Sequence, residues 1–158
     1  EKERLSMIQD LVKNTFLGFV IVEQDKKKCV LRSVSSDSAE EFAPVFRRAF
    51  LVTLSLADGV VEKIVKSEFE GLKELLPLEQ QNNQLTNFCE RVFCRGNVSK
   101  EDLVKYVLIW NVEKIADEYK YVCEELAVSH DRVQREVIDN FEKVNGLINV
   151  FYELFFKF

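Results

Sequence analysis

Two acidic side chains in the middle of the chain have a spacing that could hold a cation. Glu113 and Asp117 are four residues apart, so on a helix they lie on one face, one turn apart. Like charges at this spacing repel each other mildly, and a cation, a basic side chain or water has to neutralise them. The residues alone favour a solvated face, softened by Lys114 and Lys120, over one half of a metal site.

The stretch around these carboxylates, residues 99–126, is predicted to form one long helix. It contains neither Pro nor Gly, both of which interrupt helices. Ser99 and Asp102 form a capping-box arrangement at its start. We expect the helix to be unbroken and antiparallel to the helix that contains residues 46–64. Its predicted buried stripe, at steps of three and four, is Val104, Leu108, Asn111, Ile115, Tyr119, Val122 and Leu126.

The composition indicates one domain with long regular elements. The chain has 158 residues, 47% of them apolar, and a net charge of −5. It lacks the clustered Lys and Arg that neutralise nucleic-acid phosphates, so no direct nucleic-acid contact is expected. It also shows neither a signal peptide nor an apolar run of membrane-spanning length. We therefore expect a cytoplasmic protein without a membrane span.

Residues suited to catalysis or to a zinc site are sparse. The four Cys and the single His, His130, do not have the spacing of zinc ligands. The Cys are interpreted as small core residues of a reduced protein. His130 is the only imidazole that could activate a nucleophile, and no glycine-rich phosphate loop occurs. The chain is therefore predicted not to be an enzyme.

The N-terminal part, residues 1–36, is predicted to combine a helix with a β-hairpin. The helix spans residues 3–17 and ends at Gly18. Strands over residues 19–24 and 29–34 follow, joined by a polar turn. An isolated hairpin is only marginally stable in water, so we expect this one to pack beside the first helix.

Residues 37–158 are predicted to form a bundle of long helices. Besides the central helix, the pattern indicates helices over residues 43–66, 78–95 and 131–158. The first of these begins either at a Ser38–Glu41 capping box or nearer Ala43, where Pro44 fits the first turn. Its predicted buried stripe is Phe46, Ala49, Phe50, Thr53, Ala57, Val60 and Ile64.

The last predicted helix carries a heptad-like apolar seam, which is typical of a bundle or a coiled coil. The seam consists of Val137, Phe141, Val144, Ile148, Phe151, Phe155 and Phe158. Four Phe near the end, at 151, 155, 156 and 158, cannot all face water without leaving a large apolar patch. We expect one side of Phe151, Phe155, Phe156 and Phe158 to meet the bundle and the other to form an interface. That interface would meet a second copy, in a homodimer, or a missing segment.

The segment Asn111–Asp117, NVEKIAD, resembles the N-x-E-R/K-I-A/G-D signature of the PhoU family of phosphate uptake regulators. The order of two strands, a Ser/Asp-rich joint and the helix EEFAPVFRRAFLVTLSLADGVVEKI is similar to archaeal PhoU proteins with a preceding AbrB-type domain. These 158 residues contain no AbrB segment. The resemblance implies a mainly α fold, an antiparallel three- or four-helix bundle, whose last helix resembles the start of a second repeat. It also implies a cytoplasmic regulator that contacts phosphate transporter or sensor-kinase proteins.

The same resemblance implies a metal site for a divalent or ferric cation, iron or zinc. In PhoU proteins, carboxylates of two E-x-x-x-D motifs on adjacent helices bind such cations. The matching positions here are Glu79, Asn83, Glu113 and Asp117, with Asn83 in place of the family's Asp. Glu79 and Glu113 each lie 17 residues from Gly96, which predicts similar heights on neighbouring antiparallel helices. Two further functions stay open: a carboxylate-based metal-binding or storage bundle, and a coiled-coil assembly domain.

Overall fold

The chain folds into long helices and one small hairpin, as predicted. A computed structural model describes residues 2–35, 38–94 and 100–157. Its elements are α1 (Lys2–Thr15), β1 (Phe19–Gln24), β2 (Cys29–Ser33), α2 (Ala39–Lys66), a 3-10 helix (Phe69–Leu75), α3 (Leu76–Cys94), α4 (Lys100–Ser129) and α5 (Arg135–Lys157). The predicted boundary between residues 36 and 37, the Ser99 cap, Gly96 and Phe158 lie outside the described residues. Within the described ranges, no helix combines the length and the hydropathy needed to cross a membrane.

The hairpin forms where the sequence predicts it and packs beside α1. β1 and β2 pair antiparallel, with Phe19 opposite Ser33 and a bulge between Ile21 and Glu23. The ring of Phe16, just after α1, contacts the ring of Phe19 edge-on at 5.8 Å. Arg91 of α3 lies over Phe19 at 5.0 Å, so the small unit is attached to the bundle as well as to α1.

Gly18 is required at the junction between α1 and the hairpin. Its φ of +82° is rarely adopted by other residues, and an added Cβ would lie 2.8 Å from the Cβ of Ser35. We expect Gly18→Ala to lower the free energy of unfolding by about 1–3 kcal/mol, measured by chemical denaturation. The matched control is Gly146→Ala in α5, where an added Cβ meets nothing within 4 Å and should be neutral or stabilising. Equal stability of the two variants would contradict this assignment.

α2 provides the centre of the core, and its predicted stripe is confirmed. All seven stripe residues are buried. The helix begins at Ala39, four residues before the alternative start at Ala43, because a Glu41 carboxylate oxygen accepts a hydrogen bond from the Ser38 N–H at 3.2 Å. That capping box stabilises the first turn. Pro44 therefore lies inside the helix, where it removes one backbone hydrogen bond.

The segment after α2 returns the chain through a 3-10 helix rather than an α-helical turn. Pro77 is the second residue of α3. An N–H in the first turn of a helix has no acceptor within the helix, so proline costs no hydrogen bond at this position. The predicted start at Leu78 is therefore two residues late. Gly59 of α2 faces this segment, since a Cβ there would lie 3.0 Å from Cδ2 of Leu75. Its lack of a side chain allows the close approach.

α2 and α4 run in the same direction, which corrects the antiparallel prediction. Phe50 in the first half of α2 lines a cavity with Val112 of α4. Phe69, just after α2, stacks on His130 at the end of α4, with ring centroids 6.1 Å apart. The chain reverses once after α2 and once between α3 and α4, and two reversals restore the original direction. The antiparallel neighbours are α2 with α3 and α3 with α4.

α5 packs antiparallel on α2 through a cluster of aromatic rings. Phe46 contacts Phe155 edge-on at 5.5 Å, and Phe50 contacts Phe156 at 5.6 Å. Arg47 donates a hydrogen bond from Nε to the hydroxyl of Tyr152 at 2.8 Å. These contacts join the start of α2 to the end of α5.

The buried face of α4 is rotated from the predicted stripe, which was wrong in part. Val104 and Asn111 are exposed, Val104 by 62%, whereas small residues that the pattern omitted are buried. The observed buried face is Ile109, Val112, Ala116, Tyr119, Cys123 and Ala127. The apolar residues of α4 cover more than one face of the helix. The buried face includes its small residues, Ala116, Cys123 and Ala127.

The seam of α5 is rotated in the same way. Ile138, Asn145, Ile148 and Tyr152 are buried, whereas Val137, Val144 and Phe151 are exposed. Only Ile148 belongs to both the predicted seam and this buried set. The large apolar residues of the predicted seam therefore lie partly outside the core of the single chain.

Candidate functional site

The predicted carboxylates Glu79 and Asp117 meet around the ammonium group of Lys120. Lys120 Nζ lies 2.9 Å from Glu79 Oε1 and 2.8 Å from Asp117 Oδ1. Asn83 donates its Nδ2 hydrogen to the same Glu79 oxygen at 2.8 Å. The side chain of Glu79 is 6% exposed, so its charge is compensated inside the α3–α4 interface. Three of the four predicted site residues are thus brought together.

A second ammonium group completes the neutralisation of Asp117. Lys114 Nζ lies 2.7 Å from Asp117 Oδ2, so both carboxylate oxygens accept hydrogen bonds from lysines. Burial opposes the charge of Asp117, but the bonds from Lys114 and Lys120 outweigh it and lower the pKa of this carboxyl. Burial likewise opposes the charge of Lys120, yet its bonds to Asp117 and Glu79 raise the pKa above the usual range.

Glu113 does not meet Glu79, which corrects the prediction of equal heights. It borders the cluster through Lys114, whose Nζ lies 3.9 Å from Glu113 Oε1. The partner of Glu79 on α4 is Lys120, seven residues beyond Glu113, which is about 10 Å along a helix. Glu113 lies instead near Glu90 of α3. Burial raises the pKa of Glu90, and the charge of Glu113 raises it further. The register between α3 and α4 is decided by side-chain packing and not by equal distance from the turn.

The cluster has the composition of an internal ion-pair network. Lys120 occupies the space between Glu79 and Asp117 in which a cation would have to lie, and an incoming metal ion would compete with its ammonium group. Across the described parts of the chain, no group of three or more His, Cys, Asp or Glu side chains is arranged to hold a metal ion. The metal-ligand role of Glu79, Asn83, Glu113 and Asp117 stays a prediction, which metal analysis of the purified protein would test.

Two buried polar contacts were missed by the sequence analysis. Asn145 of α5 donates to Asp58 of α2 at 2.9 Å and accepts a hydrogen bond from Tyr119 of α4, so it joins three helices. Burial raises the pKa of Tyr119 to about 12, and the charge of Asp58 contributes. Asn82 of α3, fully buried, donates to Thr53 of α2 at 2.7 Å. Asn145 lies seven residues from both Ile138 and Tyr152, a spacing typical of one helix face. A polar residue at that spacing was the signal in the sequence that could have indicated a buried polar contact.

The four predicted interface Phe have different environments. Phe155 and Phe156 are half-buried against Phe46 and Phe50, so part of their surface is used within one chain. Phe151 is exposed and lines the opening between α4 and α5, while Phe158 lies outside the described residues. The structure therefore leaves Phe151, rather than the end of the helix, as the most accessible of the described three.

The outer face of α4 is a second apolar surface. Leu103, Val107 and Trp110 follow at steps of four and three, which places them in one row. Each is at least 50% exposed. Exposed apolar residues are ordinary when scattered, but a contiguous row that includes the only Trp of the chain is typical of a binding surface.

The two kinds of candidate site differ in what they are free to do. Glu79 and Asp117 are compensated within the chain by Lys114 and Lys120, whereas exposed apolar side chains of α4 and α5 remain available for contact. In comparisons with known proteins, no protein-family model, no curated protein and no solved structure matches the chain.

Proposed function

We propose that this chain is a PhoU-like regulator of phosphate uptake that acts by binding other proteins, and not by catalysis. The observation that carries the proposal is the exposed row Leu103, Val107 and Trp110 on α4. Buried Trp side chains are common energetic centres of protein interfaces. The row lies on the same helix as the PhoU-like segment Asn111–Asp117, directly before it.

The motif residues support this surface from within the bundle. Val112 and Ala116 are buried against the other helices, and Asp117 is bonded to Lys114 and Lys120. Lys120 in turn bonds Glu79 of α3 at 2.9 Å, so the ion pairs of the motif extend from α4 to α3. The motif thereby supplies a rigid helix, and a rigid surface loses less conformational entropy when it binds a partner.

The partners proposed on the resemblance are phosphate transporter or sensor-kinase proteins in the cytoplasm. A protein surface of this type needs an uncharged centre surrounded by polar residues. Leu103, Val107 and Trp110 supply the centre, and Lys105 with Asp102 supplies charges beside it. The resemblance supports the identity of the partner class, and the exposed row supports the mode of action.

Phosphate uptake by cells tests the proposal directly. We expect cells that lack the chain to lose the normal dependence of phosphate uptake on external phosphate, and Trp110→Ser to reproduce that loss while the protein stays folded. The matched control is Val65→Ser, which changes an exposed apolar residue on α2 and should restore normal uptake. Normal phosphate uptake in cells without the chain would refute the proposed function.

The runner-up, a metal-binding or storage bundle, predicts a different result. Purified protein would then contain stoichiometric iron or zinc, and Glu79→Gln would remove it. A PhoU-like protein that works through its apolar surface requires no such metal content. Because the PhoU resemblance also implies a metal site, metal content is read together with phosphate uptake. Metal that Glu79→Gln removes, with normal phosphate uptake in cells that lack the chain, supports the storage bundle.

A further inference from the structure

An apolar groove runs between α4 and α5. Within the described parts of the chain, both helices pack on α2, but their backbones do not contact each other. The space between them is a cavity of about 390 Å³. Its lining, which includes Leu108, Ile115, Leu147, Ile148 and Phe151, carries no charged side chain. The bond between Tyr119 and Asn145 closes the groove at one end.

The apolar patterns of both helices are centred on this groove. On α4, Val104, Leu108 and Ile115 follow at steps of four and seven, and they line the groove or extend its wall. On α5, Val144, Ile148 and Phe151 of the predicted seam do the same from the opposite side. The stripes predicted from the sequence therefore describe groove walls as well as the core. Such a pattern indicates that the groove is covered by another helix.

We propose that the groove binds a second copy of this chain, with α5 of each copy lying against the groove of the other. α5 presents Leu147, which also lines the groove, together with Val150 and Leu154, and each is more than half exposed. These α5 side chains of each copy then contact the groove of the other copy, as a two-fold symmetric interface requires. The heptad-like spacing of α5 is the pattern by which helices of two chains pair.

The size of the surface fits a dimer. Six exposed apolar side chains lie on α4 and α5 around the groove: Val104, Val144, Leu147, Val150, Phe151 and Leu154. If each offers about 120 Å² when fully exposed, their half-exposed surfaces leave roughly 400 Å² of apolar area. A standard interface buries about 800 Å² on each partner, of which roughly 60% is apolar. The exposed apolar area is therefore close to what one side of a stable dimer contributes.

The charge of the chain also favours contact at this groove. Two copies each carry a net charge of −5, and like-charged surfaces disfavour association. A contact between copies is least opposed where charges are absent, and the lining of the groove is uncharged. The inference does not rest on the proposed regulatory partner, whose surface is the row of Leu103, Val107 and Trp110 on the outer face of α4.

The test is the solution mass of the full chain over a wide concentration range. We expect twice the 18.5 kDa of one chain for the wild type. Leu147→Glu places a charge on a residue that is 68% exposed in the single chain, so folding should persist, which circular dichroism checks. The dissociation constant of the dimer should rise by at least about 100-fold. Leu154→Glu is the second variant, and the matched control Val128→Glu, at an exposed site on α4, should leave the dimer intact.

Each other outcome overturns the proposal. A wild type that stays at the mass of one chain at high concentration shows that the groove does not bind a second copy. A dimer that survives both Leu147→Glu and Leu154→Glu uses another surface. Co-purification of a bound lipid or of another protein in the groove of a monomer identifies a different occupant. Phosphate uptake is measured separately, so failure of the dimer leaves the proposed function to its own test.

Discussion

Ala116→Asp should lower the free energy of unfolding by about 3–5 kcal/mol, because it places a carboxylate where no solvent or partner compensates it. Ala116 is fully buried between α4 and its neighbours. Chemical denaturation of purified protein measures the change. The variant is made in the Leu147→Glu background, so that association between copies does not contribute to the measured stability.

The neighbouring residue provides the decisive comparison for the rotated face of α4. The sequence pattern ranks Ile115→Asp as the costly change, whereas Ile115 lies half-buried at the open groove. In the same background it should cost roughly 1–2 kcal/mol, since its carboxylate can reach water. A larger loss for Ile115→Asp than for Ala116→Asp would show that the observed register of α4 is wrong.

Lys120→Met should lower the free energy of unfolding at pH 7 by about 2–3 kcal/mol, because it leaves the buried Glu79 without its positive partner. The loss is smaller than for a completely buried pair, since the Lys120 side chain is 22% exposed and water screens its charge. The double variant Glu79→Gln/Lys120→Met removes both charges and should recover most of the loss. Lys66→Met breaks an exposed pair with Glu62 and serves as the control, with no measurable change expected.

The pH dependence of this difference follows from the direction of the pKa shifts. The lowered pKa of Asp117 means that its contribution is present above its unfolded value of about 4 and is lost as the pH falls through the folded value. The raised pKa of Lys120 means that its contribution is present below about pH 10 and is lost only as the pH rises through the folded value. The gap between wild type and Lys120→Met should therefore be widest near neutral pH and narrow below about pH 4. A gap that is unchanged at pH 3 would contradict an electrostatic origin.

The element types and most of their limits could be predicted from the sequence. β1 and β2 match their predicted ranges within one residue, because β-branched runs and a polar turn determine a hairpin locally. The stripe of α2 was confirmed at every position, because α2 lies at the centre of the bundle and its broad apolar face is buried as a whole.

The choice of buried face on α4 and α5 could not be predicted in this way. Both helices carry apolar residues over a wide sector, and periodicity does not distinguish a core face from a groove wall. Tertiary packing buries Ala116 and Cys123 and leaves Val104 and Phe151 exposed. Small residues score weakly as core residues in a sequence pattern, yet they allow helices to approach closely.

The sequence by itself determined which polar groups the candidate site contains, and the tertiary structure decided how they are used. Glu113 and Asp117 lie on one face of the helix in any fold that keeps NVEKIAD helical, because residues i and i+4 are neighbours on a helix surface. Only the register of α3 against α4 decided that Glu79 meets Lys120, and that Glu113 lies near Glu90 instead. Local spacing is set by backbone geometry, whereas contact between residues 41 positions apart depends on how whole helix surfaces pack.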